Sequence, residues 1–189
     1  MQDDATLSSM AAAFYEHKEY AKAFAIYTQL ANKNYIDCQI FMGWMCHMGM
    51  GTSKNDDEAL RWFEEAATLG SQEGMFYCGR LLTANGNHLK ALPWYEKAAE
   101  DGYLPAMYRL GMMHDNGNGV KRNRNIAMEY FERAARGGHI FSKRVIALRY
   151  MTGRGGIKMR LKGLLLLMQT IVSAIRIGNK DLYSEKLKW

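Results

Sequence analysis

Five histidines, three cysteines and two glycine-rich passages are the parts of this chain whose residue types suit chemistry. Catalysis requires such groups to converge, and their spacing gives no convergence. His17 and His88 fall in turns, and His139 follows a glycine that ends a helix. His47 and His114 lie one register position apart in two related segments, with His114 on a core-facing position. Each is expected as a packed or solvated histidine. Cys38, Cys46 and Cys78 have neither zinc-type spacing nor an even number for disulfide pairing. With Met42 they fall on helical stripes, and they are expected as small core residues. Acid pairs such as Glu64 and Glu65 point off outer helix faces and read as solvated charge. No nucleophile elbow, metal motif or nucleotide fingerprint occurs. The expectation is a protein that is not an enzyme, with no metal and no cofactor.

The glycine passages are "GMGTSK" from residue 49 and "GNGVKR" from residue 117. Gly-x-Gly suggests a phosphate cradle, but the first lacks the GxxxxGK[ST] spacing and follows a helix rather than a strand. Gly49 and Gly51 are therefore expected to turn the chain through positive φ. The basic stretches "VKRNRN" (120–125) and "GRGGIKMRLKG" (153–163) are the nucleic-acid candidates, since lysine and arginine neutralise phosphates in a salt-dependent contact. No aromatic stacking residues are interleaved with them. Solvated loops come first, an acidic protein partner second, and nucleic acid or a lipid surface third.

A repeat positions all of these segments. Ala23, Ala59, Ala91, Ala127 and Gly163 follow one another at steps of 36, 32, 36 and 36 residues. Ala31, Ala67, Ala99, Ala135 and Ile171 keep the same beat. So do Ala11, Gly43, Gly79, Gly111 and Ala147. Each period reads as two helices. Ala59, Trp62, Phe63, Ala66 and Ala67 occupy offsets 0, 3, 4, 7 and 8, one helical face. Ala91, Trp94, Tyr95 and Ala98 repeat that face, as do Ala127, Tyr130, Phe131 and Ala134. Asp56, Asp57 and Glu58 suit the positive end of the second helix, and Gly70, Gly102 and Gly138 sit where a left-handed cap would stop it.

The bulk properties agree with a helical protein. The 189 residues are 48% apolar and 23% charged, with two prolines. The opening "MQDDATLSSM" lacks the pattern of a signal peptide. The longest apolar run, near 163–175, is too short and interrupted to cross a bilayer, so no transmembrane segment is expected. The unpaired cysteines suit a reducing, cytoplasmic location. The net charge of +6 is uneven: residues 1–142 hold 14 basic against 17 acidic side chains, and residues 143–189 hold 11 against 2.

The string "LGMMHDNGNGVKRNRNIAMEYFERAARGG" resembles the Sel-one-like repeat, a relative of the tetratricopeptide repeat. Leu110, Gly111, Gly117, Gly119, Val120, Ala127, Tyr130, Phe131, Ala134, Ala135 and Gly138 carry the resemblance. Gly43, Gly49, Gly51, Ala59, Trp62, Phe63, Ala66, Ala67 and Gly70 repeat it. "YEHKEYAKA" and "TANGNHLKA" are four residues shorter and closer to tetratricopeptide turns, and the fifth unit loses the double alanine. The resemblance implies an all-α, right-handed α-α superhelix, a solenoid of about five helix-turn-helix repeats. The units are expected at 6–37, 38–73, 74–105, 106–141 and 142–177, all in one domain over 1–178. It also implies a concave wall lined by the first helix of each unit, and a role in holding other proteins.

On that wall the register places Phe41, Trp44, Tyr77, Arg80, Arg109 and Met112, the expected partner-binding residues. The expected function is a non-catalytic adaptor that binds a protein or peptide there. The alternative is a bacterial immunity protein that neutralises a cognate toxin. A third reading is nucleic-acid or membrane contact through the basic C-terminal end. In the last unit Leu165, Met168 and Val172 replace outward polar residues and form an apolar stripe. The tail, residues 179–189 with Leu182, Tyr183, Leu187 and Trp189, is the expected cap over it. A homodimer through the stripe is the alternative cover.

Overall fold

The computed structural model describes residues 3–153 and 156–180. Among them are ten α-helices and no strand. The helices are α1 (Asp4–Glu16), α2 (Tyr20–Ala31), α3 (Ile36–Met48), α4 (Asp56–Thr68), α5 (Gln72–Ala84), α6 (His88–Glu100), α7 (Leu104–Asn116), α8 (Arg124–Arg136), α9 (Ile140–Thr152) and α10 (Gly156–Lys180). The chain divides into two compact units, Met1–Tyr103 and Leu104–Trp189. In the first, α1 to α6 each pack on the next helix in order. In the second, α7 to α10 do the same. The fold is thus a series of helix-turn-helix repeats, two helices to each period of the sequence. The tail residues 181–189 lie outside the described residues.

The alanine and glycine series are buried at most of their positions; the exceptions are Ala135, half-buried, and Ile171, exposed in the last repeat. Ala11, Ala23, Ala31, Ala59, Ala91, Ala127 and Ala147 are wholly inaccessible to solvent, and Gly43, Gly79, Gly111 and Gly163 are buried with them. Small residues at these points let paired helices approach, and aromatic side chains fill the space between. A methyl group added at Gly43 would overlap the Phe63 ring. At Gly79 it would lie 2.6 Å from Tyr95 Cε1, and at Gly111 2.6 Å from Phe131 Cε1. These separations are shorter than any relaxed carbon contact.

The long repeats turn between their helices by one shared geometry. Gly49 and Gly51 take φ of 70° and 75°, and Gly117 and Gly119 take 80° and 71°. The Met50 and Asn118 amides donate to the Met45 and Met113 carbonyls at 2.9 and 3.0 Å. The Asn55 and Asn123 amides close each loop on Cys46 and His114 at 2.9 and 2.8 Å. Both asparagines then cap the next helix. Asn55 Oδ1 accepts from the Asp57 and Glu58 amides at 3.1 Å, and Asn123 Oδ1 from those of Asn125 and Ile126 at 3.0 and 3.2 Å. The Gly49, Met50, Gly117 and Asn118 amides all donate to carbonyls of the preceding helix, so the glycine passages shape the backbone.

Replacing either capping asparagine by alanine is expected to cost about 1 kcal/mol of unfolding free energy in a denaturant titration, whereas aspartate at the same position retains most of it.

Candidate interaction surface

The first helices of the second and third repeats, α3 and α5, bring together three of the expected binding residues. Trp44 meets Tyr77 edge to face, with ring centroids 4.9 Å apart. The Arg80 guanidinium lies over Trp44 at 5.3 Å, Tyr77 at 5.6 Å and Phe76 at 5.9 Å. Such stacking holds a cation against the negative faces of the rings. A shallow cavity of about 50 Å³ opens among Trp44, His47, Phe63, Tyr77, Arg80 and Leu81. His47 Nδ1 shares a hydrogen bond of 2.7 Å with Asp56 Oδ1, which ties the end of α3 to the start of α4 beside this notch.

The members differ in accessibility. Trp44 and Arg80 are half-buried, whereas Tyr77 retains only 8% of its surface. Burial, followed by the nearby Glu73 charge, pushes the Tyr77 hydroxyl up to about 12. Tyr77 therefore forms the floor of the notch and Trp44 with Arg80 its rim. Phe41 belongs to a neighbouring aromatic group, 4.9 Å from Tyr15 and 4.6 Å from Tyr27.

In the second unit, Arg109 and Met112 occupy the same register on α7. Met112 packs against the core cluster of Ala127, Phe131 and Ile146. Arg109 acts on His139. That imidazole caps α9, accepting from the Ser142 amide at 3.3 Å. It lies among Tyr108 at 5.1 Å and Phe141 at 5.7 Å. Burial, reinforced by the Arg109 charge, lowers His139 to about 4. Across the same unit Arg149 Nη2 reaches Asp115 Oδ2 at 2.5 Å, and its guanidinium covers Phe131 at 5.3 Å. The capping role of His139 and the Asp115–Arg149 pair have no signature in the sequence. Nor has an open cavity of about 650 Å³ beside Asp4, Leu30, Tyr35 and Cys38. Its Asp4 carboxylate is held by Lys33 at 2.5 Å and the Tyr35 hydroxyl at 2.9 Å.

None of these groups is poised as a nucleophile or ligand. Burial raises all three thiols, Cys46 to about 11 and Cys38 and Cys78 likewise upward, so each is a neutral core residue at physiological pH. Among the described residues no cluster of histidine, cysteine and carboxylate side chains has metal-binding geometry.

Helix-hairpin repeats whose exposed variation lies on helix faces define a class of repeat proteins, and the particular repeat is identified by comparison. The Sel1 repeat matches this chain three times, at residues 36–71, 74–103 and 104–139, more than half its length. The chain belongs to the Sel1 repeat family. A solved Sel1 repeat protein from Oxalobacter formigenes is 28% identical, with a TM-score of 0.75 over 88% of this chain and 73% of that one. A protective antigen present in uropathogenic Escherichia coli strains, displaying an SLR fold, is 26% identical. Its TM-score is 0.76, and the match covers 90% of this chain but 38% of the antigen, so this chain spans well under half of it. A Pseudomonas aeruginosa protein at 17% identity and a TM-score of 0.57 shares the fold, over 85% of this chain and 66% of that one.

His139 supplies a pH test. Its folded value lies below its ordinary 6.5, so the neutral form is the one the fold accepts. The resulting stability is complete above about 6.5 and drains away as pH falls toward about 4, by at most about 3 kcal/mol. Denaturant midpoints measured from pH 7 to pH 4 are expected to fall more steeply for the native chain than for His139→Asn, which keeps a capping group without a titrating ring.

Proposed function

We propose that this chain is a non-catalytic interaction module that binds a protein or peptide partner on the face carried by α3 and α5. Proteins built from this repeat are protein-interaction modules. The observation that carries the assignment here is the notch rimmed by Trp44 and Arg80 over a floor of Tyr77 and Phe63. Tryptophan, tyrosine and arginine dominate binding energy at interface centres because large, rigid surfaces are desolvated at small entropic cost. A partner side chain seated in the notch would displace water from two half-buried groups already fixed by their neighbours. Pre-organisation of this kind lowers the cost of association. Phe41 extends the same face on α3; at the corresponding register of the second unit Arg109 is the candidate for partner contact, while Met112, expected there too, is packed against the core cluster.

Neutralising a toxin is one form such an interaction takes. Recovery of a toxin as the partner distinguishes it from an adaptor role.

The test is quantitative affinity capture from the source organism with the native chain, Trp44→Ala, Arg80→Ala and the remote control Leu89→Ala. Trp44→Ala is expected to weaken partner binding by roughly 30-fold or more, the loss of a hot-spot residue, while the control retains it. Retention of every partner by both notch variants contradicts the assignment.

A further inference from the structure

The last helix has two apolar faces. One is inside: Gly163 and Thr170 are buried, and Leu166 packs on the cluster of Phe131 and Ile146. The other is outside. Eight aliphatic side chains between Ile157 and Ile175 are each 45–75% exposed, among them Leu161, Leu165, Met168 and Val172. At 100° per residue they fill one sector about 120° wide, and the run is about 27 Å long. No polar or aromatic side chain interrupts it. The edges are basic: Lys158 and Lys162 stand along one side and Arg160 along the other, all exposed. From residue 133 to residue 180 the sequence contains eleven lysines and arginines and no acid.

We propose that the outer face of α10 docks on an anionic lipid surface, with its aliphatic side chains entering the acyl boundary and the basic edges meeting the headgroups. A continuous aliphatic sector edged by lysine and arginine is the pattern of a helix that lies in a membrane interface. No helix among the described residues is long and apolar enough to cross a membrane, so the contact is peripheral. Other occupants fit less well. A second copy of this chain would set one acid-free, basic-edged helix against another, a like-charge juxtaposition. A single-stranded nucleic acid takes its base contacts from aromatic platforms, and this face has none. A protein partner is recognised chiefly by aromatic and arginine anchors with hydrogen bonds, which an all-aliphatic sector does not supply. Residues 181–189 contain Asp181 and Glu185 and are the remaining candidate cover.

Vesicle co-sedimentation tests the assignment with the full chain. It is expected to pellet with phosphatidylcholine vesicles containing phosphatidylglycerol and to remain in solution with phosphatidylcholine alone. Leu165→Asp/Met168→Asp is expected to abolish pelleting. Lys158→Gln/Arg160→Gln/Lys162→Gln is expected to weaken it by about tenfold or more. Leu165, Met168, Lys158 and Arg160 are exposed, and Lys162 also lies over the Tyr150 ring at 5.3 Å, so each variant is checked by circular dichroism and should keep the native helical spectrum. Several results would overturn the proposal. One is failure to pellet with either vesicle, or equal pelleting with both. Another is pelleting only after residues 181–189 are removed, which would make the tail the cover. A dimer mass in light scattering that Leu165→Asp/Met168→Asp reduces to a monomer would assign the face to a second copy. Binding of a labelled RNA oligomer lost in the same variant would assign it to nucleic acid.

Discussion

The spacing of paired helices depends on one contact, a ring on the second helix pressed against a glycine on the first. Phe63 on Gly43, Tyr95 on Gly79 and Phe131 on Gly111 repeat it across three hairpins. Each ring is almost wholly buried, and each glycine has a neighbour where a Cβ would stand. A close-packed interior transmits such a constraint to everything around it. If the ring moves outward, the helix carrying it moves too, and the alanine series loses its contact. The first and last repeats place alanine at the glycine position, Ala11 and Ala147, opposite Tyr27 and Leu167 in the register. Ala147 with Leu167 trades a ring for a methyl, whereas Ala11 with Tyr27 keeps both, so the ring-on-glycine rule holds for the three central hairpins.

Because the interior fixes the helices, their outer faces vary without cost to the fold. In the first unit that freedom is spent on Trp44 and Arg80, which remain half-open above a buried Tyr77. In the second unit the corresponding wall is occupied differently: Met112 joins the core, while Arg109 sits where its charge disfavours protonation of His139. In α10 the outward positions became aliphatic. Similar internal packing thus carries three unlike surfaces, which is how a repeat family diversifies binding without changing its scaffold.

The repeat was legible because it is written in residues with a steric reason to recur. Gly43, Gly79 and Gly111 had to be small, Gly49 and Gly51 had to take positive φ, and both requirements narrow the choice of amino acid. Gly70, Gly102 and Gly138 end helices at φ of 88°, 90° and 101° as expected. Their equivalent in the first repeat, Asn34 at φ 65°, has no glycine to mark it, because asparagine also tolerates that region. The candidate surface was only partly legible. Periodicity gave the helix face on which Trp44, Tyr77 and Arg80 lie. It could not say that Tyr77 is covered, since its burial depends on Phe63 and Phe76 reaching over it. The Asp115–Arg149 pair joins α7 to α9, helices that are not consecutive in the chain, and no local pattern marks it. The exposure of Leu165, Met168 and Val172 followed from register alone; what covers them did not.

A double-mutant cycle on the second unit tests the packing rule most directly. Gly111→Ala in the native background should cost about 1–3 kcal/mol, the usual penalty of overpacking. In a Phe131→Leu background, where the ring is gone and the pair matches Ala147 with Leu167, the same change should cost less by at least about 1 kcal/mol. Equal costs in the two backgrounds would mean that ring and glycine do not press on each other, and that something else sets the distance between the helices.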